Sequence, residues 1–151
     1  MSIAERLDTD AKDALRAGDK PRLAVLRRAR AALKNAEIEA RGPIDDAEAL
    51  KVVQGLVKRH RESIEQFTAG GRQDLVDKET AEMAVLEEYL PAQADDAEVE
   101  RVVREVIAAE GVTDVKGLGK VMRPAMERLA GQADGGRVRE VAQRVLQEGA
   151  A

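Results

Sequence analysis

The chain has no cysteine and no tryptophan, and Phe67 and Tyr89 are its whole aromatic content. Without thiols there is no disulfide, no thiolate zinc centre and no cysteine nucleophile. Without aromatic platforms, stacking on single-stranded bases is excluded as a main binding mode. His60 is the single histidine, and Ser2 and Ser63 are the only serines. Ser2 reads as a helix cap, and Ser63 has no evident base beside it. No Gly-x-Ser-x-Gly, Glu-x-x-His or His-x-x-x-His pattern occurs, so neither a hydrolase elbow nor a helical metal pair is expected. His60 therefore reads as a residue on the flank of a helix. No phosphate-binding loop is complete, because Gly117-x-Gly119-Lys120 follows no strand and lacks the Gly-x-x-x-x-Gly-Lys-Ser/Thr pattern. Adjacent acids such as Glu87-Glu88 and Asp95-Asp96 read as helix faces or caps, not as catalytic pairs. No catalytic residue, no metal and no cofactor are assigned. No apolar run approaches the ~20 residues of a membrane span, and the start Met1-Ser2-Ile3-Ala4-Glu5-Arg6 has no signal-peptide core. The expectation is a cytoplasmic protein without a membrane partner.

What is present is aliphatic and charged. Apolar residues make up 44% of the 151 positions and charged ones 36%, with a net charge of −4. A core of Leu, Val, Ile, Ala and Met suits helices packed side by side, where Ala allows close approach. The acidic balance removes any general polyanion-binding field, so DNA is not an expected partner. Nucleic-acid contact would have to use local patches.

The apolar period is helical throughout and no segment alternates as a strand does, so the fold class is all-α. Ser2 with Glu5 forms a capping box for a helix ending at Gly18, with Ile3, Leu7, Ala11, Ala14 and Leu15 as its stripe. Asp19 and Pro21 start a second helix to about Ala40, with Leu23, Leu26, Leu33 and Ile38 inward and Gly42-Pro43 as its stop. Asp45 or Asp46 caps a third, with Leu50, Val53, Leu56, Val57, Ile64 and Phe67 inward, broken at Gly70-Gly71. A fourth runs from about Gln73 to Leu90, where Pro91 stops it. The stretch Pro91–Asp96 is the expected boundary between residues 1–91 and 92–151. Beyond it, three short helices are marked by Val99–Ile107, Leu118–Leu129 and Val138–Leu146, with Asp114 and Asp134 capping the last two. The first four helices are expected to form an antiparallel arrangement and the last three a compact cluster.

Two basic regions remain as candidate sites. From Lys20 to Arg41 the chain carries Lys20, Arg22, Arg27, Arg28, Arg30, Lys34 and Arg41 against Glu37 and Glu39. Arg27, Arg30 and Lys34 share one helix face by their spacing. Lys58, Arg59 and Arg61 form a second knot. Both fit a solvated face paired with acids such as Glu82 and Glu88, and both also fit phosphate contact. The C-terminal set is Lys116, Lys120, Arg123, Arg128, Arg137 and Arg139, with Gly119 among them. Lys116, Lys120 and Arg123 share a helix face. Turns at Gly117 and Gly135 lie near helix N-termini, where anions are favoured. The alternative is that these glycines only cap helices and permit close packing.

The stretches Ala32-Leu33-Lys34-Asn35-Ala36-Glu37-Ile38-Glu39, Arg61–Phe67, Gly71–Val76 and Glu87-Glu88-Tyr89-Leu90-Pro91 together resemble the YqeY-like proteins. Gly119-Lys120-Val121-Met122 and Gly131-Gln132-Ala133-Asp134-Gly135 resemble the C-terminal tail domain of GatB, a subunit of the glutamine-dependent aminoacyl-tRNA amidotransferase. Arg123-Pro124 departs from that pattern where a glycine is more usual, and Arg139 stands where an asparagine is common. The resemblance implies two helical domains, the second of GatB-tail type. It also implies a link to carbon–nitrogen ligases with glutamine as amide donor. On that basis the expected role is a tRNA-binding or amidotransferase-associated module that is not catalytic alone, with tRNA and an amidotransferase or other protein as partners. The alternative is a protein–protein adaptor that uses the tail fold without RNA.

Overall fold

A computed structural model describes residues 1–149. Among them there are seven α-helices and no strand: α1 (Ile3–Ala17), α2 (Lys20–Ala40), α3 (Asp46–Ala69), α4 (Gln73–Glu87), α5 (Asp96–Glu110), α6 (Leu118–Leu129) and α7 (Gly135–Gly149). A short 3-10 turn, Val115–Gly117, leads into α6. The chain divides into two compact units, Met1–Leu90 and Pro91–Ala151.

Local chemistry sets the helix ends. The Ser2 hydroxyl accepts from the Glu5 amide while the Glu5 carboxylate accepts from the Ser2 amide, which completes the capping box. Asp45, not Asp46, caps α3, and it forms a second reciprocal box with Glu48. Asp46 instead accepts from the Ile3 amide at 3.1 Å and so ties the start of α1 to the start of α3. Gly18 and Gly111 end their helices in the left-handed conformation, with φ of 69° and 67°. At the end of α2 that conformation falls on Arg41 (φ 58°), one residue before the expected Gly42. The fourth helix stops at Glu87, earlier than Pro91 alone implies, and Glu88–Leu90 form a turn.

In the first unit, Leu7, Leu26 and Val53 are fully enclosed, with Ala11, Ala29, Leu33, Val57 and Leu86 around them. Two expected core residues are not inside: Leu15 is 59% exposed and Ile38 is 65% exposed. The cause is the helical period. At 3.6 residues per turn, Ala14 and not Leu15 continues the stripe of Ile3, Leu7 and Ala11. Likewise Ile38 falls opposite the Leu26–Ala29–Leu33 face, and Val25 is buried in its place. Ile64, Phe67 and Leu75 are only half-buried. In the second unit, Val99, Val102, Val103 and Val106 of α5 pack on Val121, Ala125 and Leu129 of α6 and on Val138, Ala142 and Val145 of α7. Valine is a mediocre helix former, so burial overrides propensity in α5.

One polar anchor joins three helices of the first unit. Tyr89 is buried, its hydroxyl donates to the Asp10 carboxylate in a short bond, and the Arg6 guanidinium lies 4.7 Å from the ring centre. Arg6 also donates to the Glu88 carbonyl, and Arg22 of α2 pairs with the Glu88 carboxylate at 2.7 Å. Burial first, and the bond to Asp10 second, push the Tyr89 phenol above its ordinary value. A phenol raised in this way stabilises the fold below its unfolded pKa of about 10, and that contribution is lost as pH climbs through the folded value. As Tyr89 is the only tyrosine and tryptophan is absent, phenolate absorbance reports this residue alone. The titration midpoint is expected well above pH 10 in the folded protein and near pH 10 in urea, by spectrophotometric titration. Tyr89→Phe should flatten the loss of stability on the alkaline side.

Candidate nucleic-acid interface

The glycine-punctuated segment of the second unit is built around α6. Asp114 caps the 3-10 turn, its carboxylate accepting from the Lys116 amide at 2.9 Å. No side chain caps α6 itself, whose N-cap is Gly117. Val121, Ala125 and Leu129 are buried, and Lys120, Arg123 and Glu127 lie on the exposed side. Pro124 sits inside the helix without breaking it. Having no N–H, it leaves the Lys120 carbonyl without the donor four residues on. Met126 and Leu129 carry the helix to Ala130, which closes it in the left-handed region at φ 44°.

The expected site residues divide by what holds them. Arg137 is a structural clamp. Its guanidinium donates to the Asp96 carboxylate at 2.6 Å and to the Ala94 carbonyl at 2.7 Å. The Ala94 amide in turn donates to the Gln132 carbonyl at 2.8 Å, so the Gly131–Gly135 turn is sewn to the segment before α5. Arg128 pairs with Glu105, which also takes Arg101 at 2.7 Å. Hydrogen bonds from Arg128 and then Arg101 hold the Glu105 carboxyl below its usual range. Arg144 bridges to Glu100 at 2.8 Å and holds that carboxyl low in the same way. Arg123 reaches Glu127 at 3.3 Å but stays 88% exposed. Lys116, Lys120 and Arg139 are exposed and have no ion pair among the described residues. Lys120 and Arg123 share a face of α6, Lys116 lies one turn before them, and Arg139 comes from α7.

The two glycines of this segment do different things. A Cβ on Gly117 would stand 2.4 Å from a γ-methyl of Val112, whereas a Cβ on Gly119 would meet nothing within 4 Å. Gly117 is thus a packing glycine, and Gly119 leaves the surface beside Lys120 open.

The second basic region, on α2, is partly consumed by ion pairs. Arg22 goes to Glu88, Arg28 to Glu82 at 3.1 Å, and Arg30 to Asp8 at 2.6 Å. Arg27 and Lys34 have no such pair among the described residues, and with Arg30 they line an open groove of about 520 Å³ beside Asp8 and Glu37.

His60 has partners that no spacing within α3 could reveal. Its Nδ1 lies 2.5 Å from Glu79 Oε2 and 3.9 Å from Glu82 Oε2, both on α4. The three side chains are 13–20% exposed. The signal available in sequence was Glu79-x-x-Glu82, one turn of a helix that a short Gly70-Gly71 break folds back towards α3.

Gly117→Ala is expected to destabilise the protein by about 1–3 kcal/mol through overpacking against a stiff β-branched neighbour. Gly119→Ala should raise stability by about 0.5–1 kcal/mol, the usual gain within a helix. Urea denaturation of both variants measures the pair.

Comparison with known proteins places this geometry in a family. The family model described as "Yqey-like protein" matches residues 4–146. Three similar curated proteins are named "Altered inheritance of mitochondria protein 41, mitochondrial". The one from Pyrenophora tritici-repentis is 33% identical over 135 residues, which covers 87% of this chain and 73% of that protein. Those from Eremothecium gossypii and Saccharomyces cerevisiae are 38% and 34% identical, over 57% and 56% of this chain. For these two the match spans about half of the relative's length, 48% and 46%. The names also correct the cytoplasmic expectation, since these relatives are mitochondrial proteins. That expectation rested on the lack of an apolar export core, which does not bear on mitochondrial import, because transit peptides are amphipathic and not apolar. Among the described residues no helix is long and apolar enough to cross a membrane. With the model match running through both units, the chain belongs to the YqeY-like protein family.

Proposed function

We propose that this protein is an RNA-contacting helical module that engages the tRNA backbone through the α6 segment and serves tRNA-dependent amidation in company with an amidotransferase. In this reading α1–α4 form an antiparallel four-helix arm and α5–α7 a domain of GatB-tail type. One observation carries it. In the second unit Arg101, Arg104, Arg128, Arg137 and Arg144 are bound to carboxylates of neighbouring turns or helices, while Lys116 and Lys120 are exposed and have none among the described residues. Arg123, nearly fully exposed beside Lys120, and Arg139 extend the cationic surface. The side-chain-uncapped start of α6 adds the positive end of a helix dipole next to the same lysines. Phosphates are the fitting ligand for point charges of this kind, and the lack of aromatic platforms directs contact to the backbone of a folded RNA. The chemistry of amide transfer would belong to the partner.

The adaptor reading has its own support in the first unit. Pro21, Ala24, Val25, Ala81 and Val85 line an open apolar groove of about 740 Å³ between α2 and α4. Arg22, Arg28, Lys78, Asp19 and Glu82 also line it, with Arg22 and Arg28 already paired to Glu88 and Glu82, so the groove fits a mainly apolar segment.

Binding of bulk tRNA to the full chain at two salt concentrations, with duplex DNA as control, tests the first reading. Lys116→Ala with Lys120→Ala is expected to weaken tRNA binding about tenfold or more. It should also reduce the salt slope by about 1.5–2, the contribution of two phosphate contacts. Unchanged tRNA affinity in that double variant rejects the site. Absence of tRNA binding at low salt, with a nuclease-resistant protein partner recovered instead, favours the adaptor.

A further inference from the structure

We propose that His60, Glu79 and Glu82 form a binding site for a divalent transition metal of the zinc type, joining α3 to α4. The site is separate from the cationic surface of α6 and does not depend on the RNA reading. One imidazole nitrogen and one oxygen from each carboxylate lie within 4.8 Å of one another. Glu79 and Glu82 are one turn apart on α4, so both carboxylates face the same side. His60 of α3 presents Nδ1 to them, at 2.5 Å and 3.9 Å.

Ligand type and spacing select the metal class. A nitrogen and carboxylate set suits zinc and its first-row neighbours, whereas magnesium and calcium prefer all-oxygen shells. At bond lengths of about 2.0–2.2 Å, tetrahedral donors lie about 3.4 Å apart. The two separations from Nδ1 bracket that value, and all three donor atoms lie within 4.8 Å of one another. A sub-ångström shift of Glu79 away from Nδ1, with Glu82 moving in, makes room for an ion among the three atoms. Such shifts are within side-chain reach and need no change in the helices.

Two surroundings make this more than a surface acid cluster. The three side chains are largely shielded, at 16%, 20% and 13% exposure. The Arg28 guanidinium holds the other oxygen of Glu82 at 3.1 Å, which leaves Oε2 directed to His60. An outer partner that orients a ligating carboxylate is the usual companion of a metal ligand. Three protein ligands leave a position for water or an exogenous group. A cavity of about 190 Å³, lined by His60 and Glu79 together with Leu56, Ser63, Arg59 and Leu86, adjoins the site.

Zinc ions titrated into the chelator-treated full chain by calorimetry provide the test, with cobalt as a spectroscopic probe. Saturable uptake of one zinc per chain is expected, with visible cobalt absorption of a low-coordinate site and no competition from magnesium. Glu79→Gln and Glu82→Gln should each weaken binding at least tenfold while circular dichroism shows the helices intact. Glu39→Gln, on an exposed stretch of α2, should leave it unchanged. Lack of saturable zinc uptake by the parent protein overturns the proposal and leaves a half-buried hydrogen-bonded cluster. Undiminished uptake by both glutamine variants overturns it as well, because zinc is then held elsewhere. His60→Ala is the weaker test, since removing a shielded side chain can unfold α3.

Discussion

Aliphatic burial under a shortage of aromatics is the constraint on which the rest depends. With two aromatic side chains in 151 residues, the cores must be assembled from Leu, Val, Ile and Ala. Small residues such as Ala11, Ala29, Ala125 and Ala142 sit fully inside and let helices approach closely. Such layers are thin, so most residues keep some contact with water. This is why more than a third of the chain is charged and why acids and bases must be distributed between helices without leaving buried charge unpaired. Among the described residues no buried side-chain polar atom lacks a partner.

That distribution determines what the surface can do. Arginines are spent largely on neighbouring carboxylates, and individual exposed pairs add little stability. Their consequence is electrostatic: a paired arginine presents a muted field, and an unpaired lysine a full one. Within the second unit the two lysines, Lys116 and Lys120, have no ion pair among the described residues, whereas most arginines of that unit do. The α2 face differs, because Asp8 and Glu37 share its groove. Tyr89 plays a related part in the first unit, where Asp10, Arg6, Arg22 and Glu88 gather round one buried ring. The end of α4 is thereby held against α1 and α2 by polar contacts that an aliphatic core could not supply.

The glycine-punctuated segments of the second unit also divide by physical role. The Gly131–Gly135 turn is structural, since Gln132 and Arg137 hold Ala94 from both its amide and carbonyl sides. Gly117 is needed for packing on Val112. At the Gly119–Lys120 step a Cβ on Gly119 would meet nothing within 4 Å, and Lys120 has no ion pair among the described residues. Much of this glycine-rich segment is therefore accounted for by packing and by bonds between turns.

Helix number and most helix caps were legible in the chain itself. Ser2 with Glu5, Asp19 with Pro21, and the glycines at 18 and 111 act through their immediate neighbours, and local interactions are readable locally. Where a stripe was broad the reading slipped: Leu15 and Ile38 were placed inward, because periodicity gives a face but not where a partner helix covers it. Only the tertiary structure decided which cations are free. Arg128 and Arg137 look equivalent to Lys116 and Lys120 in sequence, yet their partners Glu105 and Asp96 lie 23 and 41 residues away. The same holds for His60, solitary along α3 and flanked by Glu79 and Glu82 once α4 packs beside it. Pairing of charges across helices is a long-range property, fixed by which turns the aliphatic cores bring together, and no spacing along one helix encodes it.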